Sequence, residues 1–201
     1  MNRRLAVPAI ALALAATLAA CGSDDAPSAG TQAPGESTAP ASLNAADIAF
    51  AQGMIAHHQQ AIEMAEIALD PNVGAGPEVI DLATRIKGAQ GPEVELMTRW
   101  LTAAGEPVVM DSTDGHDMSS MDGMMTAEQM DAMAAMTGAE FDQTWLEMMI
   151  AHHEGAITQS EAVKADGSNT DVLALADRII TAQQGEIAEM QALLDAGIEC
   201  E

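Results

Sequence analysis

"MIAHHQQAIEMA", Met54 to Ala65, sets two adjacent histidines in the middle of an apolar run. "MIAHHEGAI", Met149 to Ile157, does the same further along. Four of the chain's five histidines lie in these two doublets. Their neighbours repeat in register. Asp47, Met54, His57, His58, Ala61 and Ile62 recur as Asp142, Met149, His152, His153, Ala156 and Ile157. Downstream, Leu82, Arg85, Ile86, Gln90, Glu93 and Met97 recur as Leu175, Arg178, Ile179, Gln183, Glu186 and Met190. An internal repeat of this kind is a structural unit copied. Here the unit reads as a helical hairpin, and two hairpins about a pseudo-twofold predict an all-α four-helix bundle.

Composition agrees. Tyr is absent, and apolar residues step by three and four rather than two. The first helix is expected from about Asn44 to Leu69, stopped by "DPNVGAG". The second begins near Pro77, a residue suited to a first turn, and stops before Gly105. The third begins after Thr137, with Glu140 completing a capping box, and ends at Asp166 to Asn169. The fourth runs from about Thr170 to Ala196, with Gly197 as its stop. The long connection between the halves carries a short helix from Thr126, boxed by Gln129. Pro92 lies inside the second helix and is expected to kink it.

On a helical wheel, Asp47, Met54 and His58 fall within about 20° of one another. His58 therefore sits on the apolar stripe and His57 on its flank; Asp142, Met149, His153 and His152 repeat the pattern. The second and fourth helices interrupt their own stripes at matched places with Gln90 and Glu93, and Gln183 and Glu186, ahead of Met97 and Met190. A buried unpaired carboxylate is costly, so these breaks need partners. The facing histidines, a metal ion, or both would serve. A single His–Glu pair is commonly structural, and Met on a stripe is commonly core filler. A doublet repeated with its Met and Asp favours metal ligation, because neutral imidazole is the commonest metal ligand. Acid–base catalysis lacks a Ser or Cys nucleophile beside the histidines.

A second ligand-rich stretch is "HDMSSMDGMM", which holds His116, Met118, Met121, Met124 and Met125. Thioethers are soft donors that select Cu(I) or Ag(I) over Zn, Mg or Ca. Idle exposed Met is also an oxidation liability outside the cell. The alternative is that these side chains fold back over the bundle mouth as apolar cover. Met130, Met133 and Met136 follow at helical spacing and read as core.

The flanks bear on location. Residues 1–20 pair a basic "MNRR" with an apolar run too short to span a membrane confidently, ending in "LAAC". This reads as a lipoprotein signal with Cys21 as the acylated first residue of the mature chain, tethering it to a membrane outside the cytoplasm. Residues 21–42 read as a disordered Pro-, Gly-, Ser- and Ala-rich stalk, and 43–201 as one domain. Without Arg3 and Arg4, five basic residues face 31 acidic ones, which argues against binding nucleic acid through its phosphates. With Cys21 acylated, Cys200 is the one remaining thiol, so neither an internal disulfide nor a Cys-based zinc site is expected.

"MIAHHQQAIEMA", "GMMTAEQM", "FDQTWLEMMIAHHEGAI" and the paired Gln-x-x-Glu-x-x-x-Met strings resemble the bacterial "domain of unknown function 305" family. The resemblance covers nearly all of residues 44–196. It implies a ferritin-like four-helix bundle, exported or surface-anchored. Members with an assigned role resemble periplasmic copper-binding and copper-resistance proteins with His and Met ligands. Carried over by position, the motif residues are His57, His58, His152 and His153, with Met54 and Met149 beside them. The loop motif Met-x-Gly-Met-Met falls on Met121, Gly123, Met124 and Met125, and Asp122 stands where proline is common.

The first functional expectation is a tethered protein that sequesters or hands over Cu(I), and also Ag(I), with no reaction implied. Its ligands are drawn from His57, His58, His152, His153, Met54, Met149, Asp47, Asp142, Glu93, Glu186, Met97 and Met190, and from the Met-rich loop. The second is a ferritin-like metalloenzyme or redox protein using another transition metal. A di-iron site needs Glu-x-x-His on two helices, and Met or Ile stands three residues before each histidine. The third is a helical interaction module whose His–Glu network fixes register and binds no metal.

Overall fold

The computed structural model describes residues 42–109 and 121–197. Cys21, Cys200, His116 and Met118 lie outside them. Five helices follow in order: α1, Ala45–Ala68; α2, Pro77–Ala104; α3, Ala127–Ala134; α4, Gly138–Asp166; and α5, Thr170–Ala196. α1 pairs with α2, and α4 with α5, as two antiparallel hairpins. The hairpins meet where α1 packs antiparallel on α4, and α3 lies against α4. Among the described residues no helix is long and apolar enough to cross a membrane.

Local chemistry sets most boundaries. Asn44 caps α1: its side chain accepts from the Asp47 N–H at 2.8 Å, and Asp47 accepts from the Asn44 N–H at 2.9 Å. Pro77 opens α2 and a left-handed Gly105 closes it. Thr126 and Gln129 form the expected box on α3. The box expected at Thr137 does not form. Gly138 instead takes a positive φ of 60° and its N–H donates to Val73 O at 2.9 Å, so a tether to the α1–α2 connection sets the entry to α4. α2 continues unbroken through Pro92.

α1 and α4 form the spine of the bundle, each buried against its own hairpin partner and against the other. That double burial explains why the flank of the α1 stripe is as dry as its centre. Two apolar clusters result. One gathers Met64, Leu82, Ile86, Met133, Phe141, Trp145 and Met190. The other gathers Phe50, Met54, Met97, Leu101, Leu175 and Ile179. Each such fully buried side chain contributes about 1.5–3 kcal/mol. Trp145 also donates its indole N–H to Met64 O at 3.0 Å across the α1–α4 contact.

Candidate functional site

The four doublet histidines are completely buried. His58 faces α2, and its Nε2 lies 2.8 Å from Glu93 Oε2. His153 faces α5, and its Nε2 lies 2.7 Å from Glu186 Oε2. The carboxylates reach water at their outer edges, with 25% and 15% of their side-chain surface exposed. The glutamates of the Gln-x-x-Glu breaks thus find partners in the facing histidines, while Gln90 Oε1 and Gln183 Oε1 are buried with no hydrogen-bond partner among the described residues. A carboxylate only accepts, so Nε2 carries a proton in each pair and the imidazole's orientation is fixed. Nδ1 of both His58 and His153 is buried with no hydrogen-bond partner among the described residues.

The flanking histidines face each other. The rings of His57 and His152 lie 3.8 Å apart between centroids, tilted by 49°, where α1 meets α4. His153 follows at 6.4 Å from His152. His57 Nε2 lies 3.3 Å from the carbonyl oxygen of Asp122, and its Nδ1 is unpartnered. Both ring nitrogens of His152 are buried and unpartnered. Burial, reinforced by the neighbouring His58, pushes His57 down to about 3. Burial and the adjacent His57 push His152 well below the ordinary histidine range. Both rings are therefore neutral at any physiological pH, the form in which imidazole binds metals. Among the described residues no three His, Cys, Asp or Glu side chains converge on one point. The arrangement is two imidazole–carboxylate pairs flanking one imidazole–imidazole contact.

The Met-containing connection lies over this contact. Met124 N–H donates to Met121 O at 3.1 Å, and Gly123 has a φ of 81°, the pattern of a type II turn. That turn type tolerates proline at the position Asp122 occupies. Gln60 clamps the chain beyond the turn: its amide donates to Met125 O at 2.8 Å and accepts from Met125 N–H at 2.7 Å. The repeat counterpart of Gln60 is Gly155, and there the loop sinks into α4. A Cβ on Gly155 would lie 1.9 Å from Asp122 O. Met121 and Met124 remain partly exposed, whereas Met125, Met130 and Met133 are buried in the core. Apolar cover is thus the setting of Met125. The roles of Gln60, Gly123 and Gly155 were not read from sequence. The one signal was the break in the repeat, Gln60 against Gly155.

Two expected ligands, Asp47 and Asp142, have backbone partners away from the histidines. Asp47 is eleven residues from His58, about 16 Å along the helix. Its carboxylate accepts from the backbone N–H of Ser168 at 3.1 Å and of Asn169 at 3.2 Å, in the α4–α5 connection. Asp142 mirrors it, accepting from the Gly76 N–H of the α1–α2 connection at 2.9 Å. Burial raises the Asp142 carboxyl above its ordinary range, and the Gly76 N–H partly offsets this. Each aspartate ties its helix to the opposite hairpin and stands apart from the histidines. Met54, Met97, Met149 and Met190 are wholly buried within the two apolar clusters.

The family model described as "Domain of unknown function (DUF305)" matches residues 47–194. No curated protein matches the chain. Three solved structures are similar. A DUF305 protein of Streptomyces coelicolor, described as a candidate secreted protein, is 28% identical, with 75% of this chain and 93% of that chain covered and a TM-score of 0.68. A DUF305 fragment from Deinococcus radiodurans is 25% identical over 78% and 99% of the two chains, with a TM-score of 0.69. CopM in its Cu(I)-bound form is 30% identical over 75% and 96%, with a TM-score of 0.60, and similar structures of CopM exist with Cu(II), with Ag and without metal.

Proposed function

The chain belongs to the DUF305 family, and on that footing we propose that it is an exported, lipid-anchored protein that binds Cu(I), and equally Ag(I), for sequestration or transfer outside the cytoplasm. The observation that carries this reading is the set of buried, unpartnered imidazole nitrogens on α1 and α4: Nδ1 of His57, His58, His152 and His153, and Nε2 of His152. An orphaned buried polar atom costs about 1–3 kcal/mol, and imidazole nitrogens are donors that a soft metal accepts. The likeness to CopM, whose structures hold copper and silver, supports the choice of metal.

In this reading Glu93 and Glu186 orient ligands rather than bind metal. Each accepts from Nε2–H and so fixes the ring of His58 or His153, leaving Nδ1 as its unpartnered nitrogen. The partly exposed carboxylates add negative charge beside a cation cargo. Nothing in the set supplies a nucleophile or a Glu-x-x-His pair, so the ion is cargo and no reaction is assigned. Cys21 carries the anchor, and a Cys21→Ser variant is expected to leave the membrane fraction.

One observation favours a second reading. The His58–Glu93 and His153–Glu186 hydrogen bonds are already complete, as a network that only locks helix register would require. An anaerobic Cu(I) titration against a competing chelator separates the two. The copper reading expects competition in the wild type and at least a tenfold loss on changing His152 alone to Ala. A register lock expects no competition in either protein.

A further inference from the structure

The proposed function gives no role to one matched pair of buried polar side chains, Gln90 and Gln183. Gln90 is 4% exposed and Gln183 3%, and Oε1 of each has no hydrogen-bond partner among the described residues. α2 and α5 run antiparallel and are joined at the surface, where Arg85 Nη2 donates to Glu189 Oε1 at 2.6 Å. Gln90 lies five residues beyond Arg85 and Gln183 six before Glu189, so the two carboxamides stand at one level, within about 2 Å along the bundle. The core on either side has the same register. Leu82 and Ile86 share a cluster with Met190, and Met97 and Leu101 share one with Leu175 and Ile179. The glutamine level therefore separates the two apolar clusters. Glu93 and Glu186 follow one turn further, in opposite directions. Each has an outer edge in water and an inner contact to His58 or His153.

We infer that the seam between α2 and α5 is the passage by which a cation reaches the histidines and leaves them, lined by the Gln90 and Gln183 carbonyls between two carboxylate mouths. The inference rests on the soft-metal reading above. The doublet histidines are completely buried, so an ion must cross a face of the bundle to meet them. Hairpin packing closes the α1–α2 and α4–α5 faces. The loop closes the α1–α4 face: its Asp122–Gly123 backbone fills the space a Cβ on Gly155 would need, and Gln60 clamps Met125 with hydrogen bonds of 2.8 and 2.7 Å. α2 and α5 approach each other less closely than those three pairs do. The groups along their seam suit a cation in transit. The partly exposed carboxylates draw it in. The carboxamide oxygens can stand in for its hydration, and oxygen holds a soft ion more weakly than imidazole does, so the ion moves on. Two unpartnered buried carbonyls are a cost in a purely structural layer, and a passing cation gives them a use. Gln90 and Gln183 thus govern the rate of exchange, and the histidines govern affinity.

The test separates rate from affinity with radioactive Ag(I) in chloride-free buffer. Equilibrium dialysis gives Kd, and exchange of bound for free silver gives the release rate. The variant is Gln90→Leu with Gln183→Leu, which replaces the oxygens by apolar bulk and keeps both His–Glu pairs. The expected result is exchange at least tenfold slower than in the wild type, with Kd within about threefold, since a passage slows entry and release alike. Each single change should give part of the slowing and serves if the double variant does not fold. In a metal-free thermal melt the variants should unfold no lower than the wild type, because unpartnered buried polar atoms have been removed. An unchanged exchange rate overturns the passage. So does a weaker Kd with faster release, which would make the glutamines ligands, or a lower melting temperature, which would make them structural. Each of these leaves the soft-metal reading standing. No silver retained by the wild type overturns both.

Discussion

His57 and His152 carry the strongest physical demand in the molecule. Two neutral imidazoles lie 3.8 Å apart in a fully buried setting. In the unfolded chain they titrate near 6.5, and in the folded chain His57 titrates only near 3 and His152 also well below 6.5. The unfolded state therefore binds more protons across that window. Stability is full above about pH 6.5 and falls as the pH drops toward 3 through His57, with His152 acting in the same sense. Asp142, raised by burial, acts in the opposite sense within the carboxylate range. Urea melts from pH 7.5 to 4.5 should show this loss, and His152→Phe should flatten part of the slope. Asp47 and Asp142 make a second prediction at this scale. Asp47→Ala and Asp142→Ala should each cost about 1–3 kcal/mol by removing acceptors from backbone N–H groups, with Cu(I) affinity unchanged. A tenfold loss of Cu(I) affinity in either variant would restore the aspartate to the ligand set.

Helix existence and type were legible because each signal was local: the period, Asn44, Pro77, Thr126 and Gly197. His58 was legible too, since one wheel places it on the stripe facing Glu93. His57 was not fully legible. Its burial depends on α4, and no single-helix wheel contains a second partner. The backbone partners of the aspartates were hidden for the same reason. They share the face of His58, but a wheel discards height, and three turns separate them. Gly155 was hidden because a mid-helix glycine has meaning only once the loop that occupies its space is known. Gly155→Ala should therefore cost about 1–3 kcal/mol, an overpacking penalty from a Cβ placed against Asp122. Gly185→Ala, where a Cβ meets nothing within 4 Å, should be neutral or stabilising. Thermal melts of the two variants make the comparison.

The whole molecule follows from one hairpin used twice. Neither hairpin alone buries the α1–α4 face, which carries His57, Met64, Trp145 and His152. Residues 42–109 expressed alone should lack the cooperative transition of the full domain, and a sharp transition there would show that the hairpins are independent. Duplication also puts the histidines where only the assembled bundle brings them together, so the candidate site and the fold share one interface. The repeat supplied the belt, and the long connection between the halves supplied the asymmetry that the repeat alone does not predict. The expectation of a soft metal rests on chemistry, on imidazole and thioether donors without paired cysteines.

The central claim is that the buried histidines hold a soft cation. X-ray absorption at the copper edge, on protein loaded anaerobically with one equivalent of Cu(I), tests it most directly. The account predicts imidazole scattering in the outer shells, weakened in His152→Ala. A first shell of sulfur alone, or of oxygen alone, with no imidazole signature would contradict it and leave the belt as a structural network.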